Sequence, residues 1–296
     1  MGEERTEVAV EVEGRRLTLV NLEKVMYPRT GTTKAEVLNY YAQVAPVLLP
    51  MLADRATTRI RWPHGTGEQS FFEKNVPAGT PSWVRVVTVP TTGSRSASKE
   101  EGELRFPVVD SLATLTWLAN LAALELHVHQ WTVDADGTPV NPDRLVIDLD
   151  PGEPAGLMEC STVALWVRDK LAEHGLESWP VTSGSKGIHL YADLDRSRTS
   201  DEVRDFAKEI AEELEREHKD LVVSQMAKAR RSGKVFLDWS QNVGAKTTIS
   251  PYSLRGRDLP TVAAPRTWEE IEEGAEDPLG LEQLRFEEVL ERLQDA

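Results

Sequence analysis

The spacing of apolar and polar positions changes period several times along the chain, and each change marks an element. Residues 8–20 alternate with period two around Glu13-Gly14, which predicts a hairpin. Apolar positions then recur at helical spacing over 34–53, behind Thr33 and with Glu36 three residues on, the arrangement of a capping box. TTRIRW (57–62) and WVRVVTV (83–89) return to a strand pattern, separated by a loop carrying the pair Phe71-Phe72. Residues 91–104 read as a polar loop. SLATLTWLANLAAL (111–124) is apolar on most sides, as a buried helix is, and ELHVHQWTV (125–133) follows as a strand. A helix over 159–174 should stop at Gly175, a residue suited to a left-handed cap. VTSGSKGIHLYADL (181–194) reads as strand, glycine-rich turn and strand. An acidic helix over 201–220, a strand in KVFLDW (234–239) and a short helix over 279–293 complete the pattern.

One strand breaks the pattern of its kind. In RLVIDLDPGE (144–153), Leu145, Ile147 and Leu149 share one face and Asp148 and Asp150 the other. The two carboxylates lie roughly 7 Å apart along the chain. Such a pair resists burial unless a cation or a proton compensates it, so this face is either wet or holds a metal. Hard oxygen donors of this kind suit magnesium or manganese. KVFLDWSQN places a third acid, Asp238, at the end of another apolar strand. Three acids on neighbouring strands are what two ions about 4 Å apart require. SGSKGIH (183–189) offers the counterpart: Gly184 and Gly187 let backbone amides approach an anion, and Ser183, Ser185 and Lys186 add donors and charge. Its spacing is not that of a Walker A loop. His189 sits in an apolar strand, where a histidine satisfied within the core is the default. His127 and His129 alternate on one strand face, but without cysteines or a third histidine they do not make a zinc site.

Composition narrows the class. The chain has 296 residues, 40% of them hydrophobic and 28% charged, and a single cysteine, Cys160, which fits a reducing, cytoplasmic setting. No secretory signal opens it and no apolar run is long enough for a membrane span. A formal charge of −15 argues against a nucleic-acid partner until its distribution is considered. Acid concentrates in 201–220 and 269–277; base concentrates in 228–234 and around Lys24, Lys34, Arg55, Arg59 and Arg61. A basic groove on an acidic body is compatible with that. Strands and helices intersperse without a strict βαβ repeat, so the expected class is α/β in the mixed, α+β sense. The expected organisation is one catalytic unit over 1–265 and an acidic C-terminal extension with a short helix over 266–296.

DLDPG, SGSKGIHLY and LDWSQN, in this order, resemble the three motifs of the archaeo-eukaryotic primase superfamily, and specifically the polymerase domain of bacterial ligase D. NLEKVMYP, GTTK, RWP, FFEK, LELHVHQW, ISPYSLRGR and PTVAAPRTW extend the likeness over nearly the whole chain. The resemblance implies a core of two facing mixed sheets flanked by helices, with the active site between them. It implies that Asp148, Asp150 and Asp238 are the catalytic, metal-binding triad for two Mn2+ or Mg2+ ions. Ser183, Lys186 and His189 would meet the triphosphate or sugar of an incoming NTP or dNTP, with His127, Gln241, Lys246 and Arg255 beside them. Lys24 and Lys34 would hold a 5′-phosphate, Phe71 and Phe72 would stack on the template, and Arg61 and Arg231 would also contact DNA.

The activity implied is template-dependent nucleotide addition, favouring ribonucleotides, at gaps or double-strand breaks during non-homologous end joining. Gapped or broken DNA, a DNA ligase and the bacterial Ku end-binding protein are the implied partners, in the cytoplasm at the nucleoid. The loops at 91–104 and 228–234 depart from the family pattern, which leaves end-bridging open. No ligase or nuclease segment is recognisable, so the chain reads as an excised domain or a stand-alone relative. A stand-alone enzyme could instead fill short gaps in excision repair. A DNA-end binding module without catalysis is disfavoured by the presence of all three acids. Aspartyl-phosphate phosphatases of the haloacid dehalogenase type want Thr or Val where Gly152 stands.

Overall fold

The strand Arg144–Pro151 lies inside a six-stranded mixed sheet. It pairs antiparallel with Ile188–Asp193 on one side and with Val235–Asp238 on the other. Ser178–Thr182 and then Ala264–Pro265 extend the first side, and Val222–Val223 runs parallel to Val235–Asp238 at the far edge. The pleat sorts the aspartate strand as its alternation predicts. Leu145, Ile147 and Leu149 are fully buried and share a core with Val163 and Val167 of α3 (Leu157–Glu173) and Ala207, Ile210 and Leu214 of α4 (Ser200–Glu217). A one-residue slip would expose those three side chains, at about 1.5–3 kcal/mol each, and press Asp148 and Asp150 against the helices. That penalty pins the register. This computed structural model describes residues 6–90 and 102–295.

A second sheet has the order Thr248–Ile249, Ala123–Val128, Thr57–Arg61, Phe71–Glu73 and is antiparallel throughout. Only the larger sheet is therefore mixed, where both were expected to be. Leu124, Leu126 and Val128 pack with Val37, Tyr41 and Leu48 of α1 (Lys34–Leu52) and Leu115 and Leu118 of α2 (Leu112–Asn120). The two sheets meet through Val146, Val181, Tyr191, Ile249 and Ala263, and the Tyr191 hydroxyl donates to the Ile249 carbonyl at 3.2 Å. Helices thus cover the outer faces, while the faces bearing Asp148 and Glu125 turn toward each other. The acidic helix α4 lies on an outer face, and its charge does not surround the space between the sheets.

Several boundaries differ from the sequence pattern for local reasons. Phe71–Glu73 is a strand rather than a loop, because it pairs with Thr57–Arg61. The apolar helix stops at Asn120: Ala122 adopts φ 62 and the chain reverses into Ala123–Val128. The strand expected over 125–133 is broken, and Trp131–Val133 pairs separately with Pro139–Pro142. Most of the 91–104 loop lies outside the described residues, while Glu103–Pro107 pairs with Val86–Pro90. The hairpin with Glu13 and Gly14 at positive φ, the Thr33–Glu36 capping box and the Gly175 turn at φ 73 form as expected.

The C-terminal segment holds two helices, not one. Thr267 and Glu270 form a further capping box that starts α5 (Trp268–Glu276), and the Asp277-Pro278 break separates it from α6 (Phe286–Asp295). Ile271 and Leu281 are buried beneath the six-stranded sheet, and Phe286 and Val289 join the core around α1. Residues after 265 are therefore built into both cores. Among the described residues no helix is long and apolar enough to cross a membrane.

Candidate active site

Strand register sets the centre of the site. Asp148 stands directly opposite Asp238 on one neighbour and His189 on the other, and Asp150 stands opposite Phe236. Directly opposite residues hold their Cβ atoms roughly 5 Å apart, so the acids of two strands meet on one face without further adjustment of the backbone. That face forms one wall of a cleft of about 770 Å³. Asp148, Asp150, Asp238, Ser183, Lys186, His189, Gln241 and Arg255 line it, eight residues that the motifs single out across more than a hundred positions of sequence. Arg29, Arg257 and Asp258, which the sequence did not flag, lie at the same cleft. The lining is balanced in formal charge, with Arg29, Lys186, Arg255 and Arg257 against Asp148, Asp150, Asp238 and Asp258.

Each acid has protein partners. The Asp148 Oδ1 lies 3.4 Å from His189 Nε2, and the Asp150 Oδ2 accepts from Arg231 Nη1 at 3.1 Å. Both oxygens of Asp238 accept: Oδ1 from the Ser240 amide at 3.0 Å and from the Ser240 hydroxyl, Oδ2 from Gln241 Nε2 at 2.9 Å. Lys246 Nζ donates in turn to the Ser240 hydroxyl. Burial, and then the neighbouring Asp148 carboxylate, push the Asp150 carboxyl above its usual value, against the pull of Arg231 and Lys186. Among the described residues no three His, Cys, Asp or Glu side chains converge tightly enough to hold an ion as they stand. Asp148 faces His189, Asp150 faces Arg231, and Asp238 faces Ser240 and Gln241; the donor set is nevertheless the hard one that magnesium and manganese prefer.

The glycine-rich turn behaves differently from its sequence reading. Its glycine amides do not open to the cleft. Ser183 Oγ accepts from the Ser185 amide at 3.2 Å and the Gly187 amide at 3.1 Å, and the Gly184 amide donates to Gln283 Oε1 at 2.6 Å. With both lone pairs engaged, the Ser183 hydroxyl has its proton left to offer a ligand. A Cβ on Gly187 would lie 1.9 Å from the Leu149 carbonyl oxygen, so this glycine serves close packing against the aspartate strand. Lys186 is exposed and makes a 3.6 Å ion pair with the still more exposed Glu153, a pair weak enough to give way to another anion.

Opposite the acids, the second sheet supplies Glu125 and His127 from one strand face. His127 Nε2 and Glu125 Oε2 are 2.7 Å apart, Arg255 Nη1 is 3.5 Å from the same oxygen, and the Gly256 amide donates to Glu125 Oε1 at 2.9 Å. Burial alone would raise the Glu125 carboxyl; the bond with His127, the Arg255 charge and the Gly256 amide outweigh it and hold the pKa down to about 2. Burial lowers the Arg255 pKa and Glu125 opposes that. Gly256 is packed so closely on Trp62 that a Cβ would come within 2.1 Å of the indole ring. Glu125 was missed, although its signal was present: an acid two residues before His127 in an apolar strand.

The residues expected to contact DNA fall into separate groups. Lys24 and Lys34 come together, the Lys34 amide donating to the Lys24 carbonyl at 2.8 Å where α1 begins, and Lys34 Nζ donates to the Val20 carbonyl at 2.7 Å. Phe71 and Phe72 are exposed on an edge strand, at 43% and 57%. Arg61 beneath them is tied to Glu73 at 2.7 Å, alongside the fully buried Arg59. Arg231 lies within the acid centre, 3.7 Å over the Phe236 ring.

This geometry has counterparts among known proteins. A family model described as the primase-polymerase domain of LigD matches residues 33–296. The multifunctional non-homologous end joining protein LigD of Mycobacterium bovis is 48% identical over 284 residues, covering 94% of this chain and 36% of that protein. The bifunctional LigD of Bacillus subtilis is 35% identical over 258 residues, covering 87% of this chain and 40% of that protein. The chain thus spans well under half the length of these relatives. Among solved structures, the polymerase domain of Mycobacterium tuberculosis ligase D in complex with DNA matches with a TM-score of 0.87 and 48% identity, over 95% of each chain.

Proposed function

The chain belongs to the LigD primase-polymerase domain family, a family of nucleotidyltransferases, and from that premise we propose that it extends a primer strand at gaps and broken DNA ends in non-homologous end joining. The observation that carries the reading is the register: Asp148 flanked by Asp238 and His189 on one sheet face, with Asp150 two residues along. These three acids would hold the divalent ions, manganese or magnesium, which when bound neutralise phosphate charge and assist deprotonation of the attacking 3′-hydroxyl. The proteins' own groups bind and orient the nucleotide. Ser183 offers its hydroxyl proton and Lys186 its charge to the phosphates, from the wall that carries the acids. Arg255, held by Glu125, lines the same cleft; His127 bonds the same carboxylate but does not itself line the cleft, and it would meet the sugar or phosphate only beyond that lining. Gln241 orients Asp238, and Lys246 is assigned to that role through Ser240 rather than to direct nucleotide contact.

Lys24 and Lys34, at the start of α1, are proposed to receive a downstream 5′-phosphate through their charge and the positive end of the helix dipole, the first amides of α1 being bonded within the protein. Phe71 and Phe72 are proposed to stack on the template. The product is an extended end that needs sealing, so a DNA ligase is the expected downstream partner, with the Ku end-binding protein and a nucleoid location following from the same pathway.

The test is primer extension on gapped and end-aligned DNA with each metal, with ribo- and deoxyribonucleotides competing in one reaction. Templated addition that favours ribonucleotides is expected. Absence of addition under every metal would remove the polymerase reading, and a strong deoxyribonucleotide preference would remove the sugar assignment.

A further inference from the structure

Gln283 lies between α5 and α6, in a segment that no motif marks. Its side chain nevertheless spans the glycine-rich turn. Oε1 accepts from the Gly184 amide at 2.6 Å, and Nε2 donates to the Gly187 carbonyl at 3.0 Å, so one amide group closes both ends of the turn. The Gly187 carbonyl also accepts from the Ser183 amide at 2.9 Å, which makes it the point where the turn is tied.

The segment that carries Gln283 is itself held in place. The Val262 amide donates to the Leu284 carbonyl at 2.9 Å and the Phe286 amide to the Pro260 carbonyl at 3.1 Å, so 284–286 runs beside 260–262 as a short ladder. Thr261 in that ladder donates its hydroxyl to the Gly184 carbonyl at 2.5 Å. Leu281 is buried on the other side of Gln283, and a Cβ on Gly280 would come within 2.6 Å of the Glu273 carbonyl oxygen, so the chain must pass there without a side chain. Gly184, held at φ 69, has no room for a Cβ either: it would lie 2.6 Å from Arg255 Cγ and 2.7 Å from the Val262 backbone.

We infer that Gln283 is a positioning residue for nucleotide binding: through the Gly184 amide and the Gly187 carbonyl it fixes the turn that aims the Ser183 hydroxyl and Lys186 at the triphosphate. The inference rests on the cleft being the nucleotide site. The chemistry is specific to glutamine, since a carboxamide both accepts and donates and a carboxylate only accepts. Once the turn is fixed by the C-terminal segment, its inward amides need not reorganise when the nucleotide arrives, and the outward groups stay preorganised.

Two variants test this. Gln283→Ala removes both bonds; Gln283→Glu keeps an acceptor for the Gly184 amide but sets a carboxylate oxygen against the Gly187 carbonyl. Hydrogen exchange over 183–187 reads the tie itself, and it does so whether or not the protein is catalysing. Exchange at the Gly184 amide should quicken in Gln283→Ala. The nucleotide KM should rise about 10-fold, as loss of two ordinary hydrogen bonds implies, with kcat within about threefold and affinity for gapped DNA unchanged. Gln283→Glu should raise KM at least as far. Unaltered exchange in Gln283→Ala would overturn the tie. Quickened exchange with an unchanged KM would overturn the positioning role, as would a Gln283→Glu protein that matches the unmutated one. Asp148→Ala run alongside tests the polymerase reading separately. If it still adds nucleotides, the acids are misassigned, whatever Gln283 does; if the unmutated protein adds none, the positioning role falls together with the nucleotide site.

Discussion

Replacing Glu125 by Gln tests how the wall opposite the acids is built. The carboxylate is 6% exposed and bonds His127, Arg255 and the Gly256 amide through its two oxygens. Its pKa is held down to about 2. Against about 4.3 for a free glutamate, that difference corresponds to roughly 3 kcal/mol in favour of the charged form in the folded protein. An amide in the same place loses the charge and must turn its NH2 toward either the Gly256 amide or the Arg255 guanidinium, donor against donor. Loss of about 3 kcal/mol of stability at pH 7 is expected, read as a fall in melting temperature of about 5 °C or more.

The sign follows from the depressed pKa. The carboxylate's contribution is fully present above the unfolded value and is lost as pH falls toward about 2. Melting curves of the two proteins should therefore converge between about pH 4.3 and the folded value. The same change should raise the nucleotide KM, because Arg255 loses its fixed partner. A gap between the two melting temperatures that persists unchanged to pH 3, or no gap at pH 7, would refute the electrostatic account of this wall.

Two further outcomes test other parts of the site. Asp148→Ala, Asp150→Ala and Asp238→Ala should each abolish nucleotide addition while leaving DNA binding largely intact, measured by extension and by a binding titration; retention of more than about a tenth of the activity in any of them would contradict the three-acid assignment. Lys24→Ala and Lys34→Ala should erase any preference for gaps bearing a 5′-phosphate without changing affinity for blunt duplex. In the unmutated protein that preference should shrink as salt rises, and equal affinity for both gaps at low salt would dispose of the phosphate pocket.

Local rules carried a good deal of this protein. Period-two alternation put Asp148 and Asp150 on one strand face and the three apolar residues on the other, because the pleat leaves no other choice. The Thr33 cap starts its helix by bonds within four residues, and so was legible in the chain. The motifs around 148, 183 and 238 were legible for the same reason, each being a short run with its own chemistry.

What the chain alone could not disclose are contacts between runs far apart in sequence. Nothing in LDWSQN says that Asp238 pairs opposite Asp148; that is settled by which hydrophobic faces bury together against α3 and α4. Arg231 reads as one more cation in a basic loop until the fold lays it on Asp150. Gly184 and Gly187 read as open amides until Ser183 and Gln283 are seen to engage them. Gln283, in a segment read as an extension, has no local signature, because a glutamine becomes a tie only when packing brings an amide and a carbonyl within its reach. Local propensity acts within a few residues and is written along the chain; tertiary structure chooses among long-range pairings by burial and by hydrogen-bond satisfaction, which no short window contains.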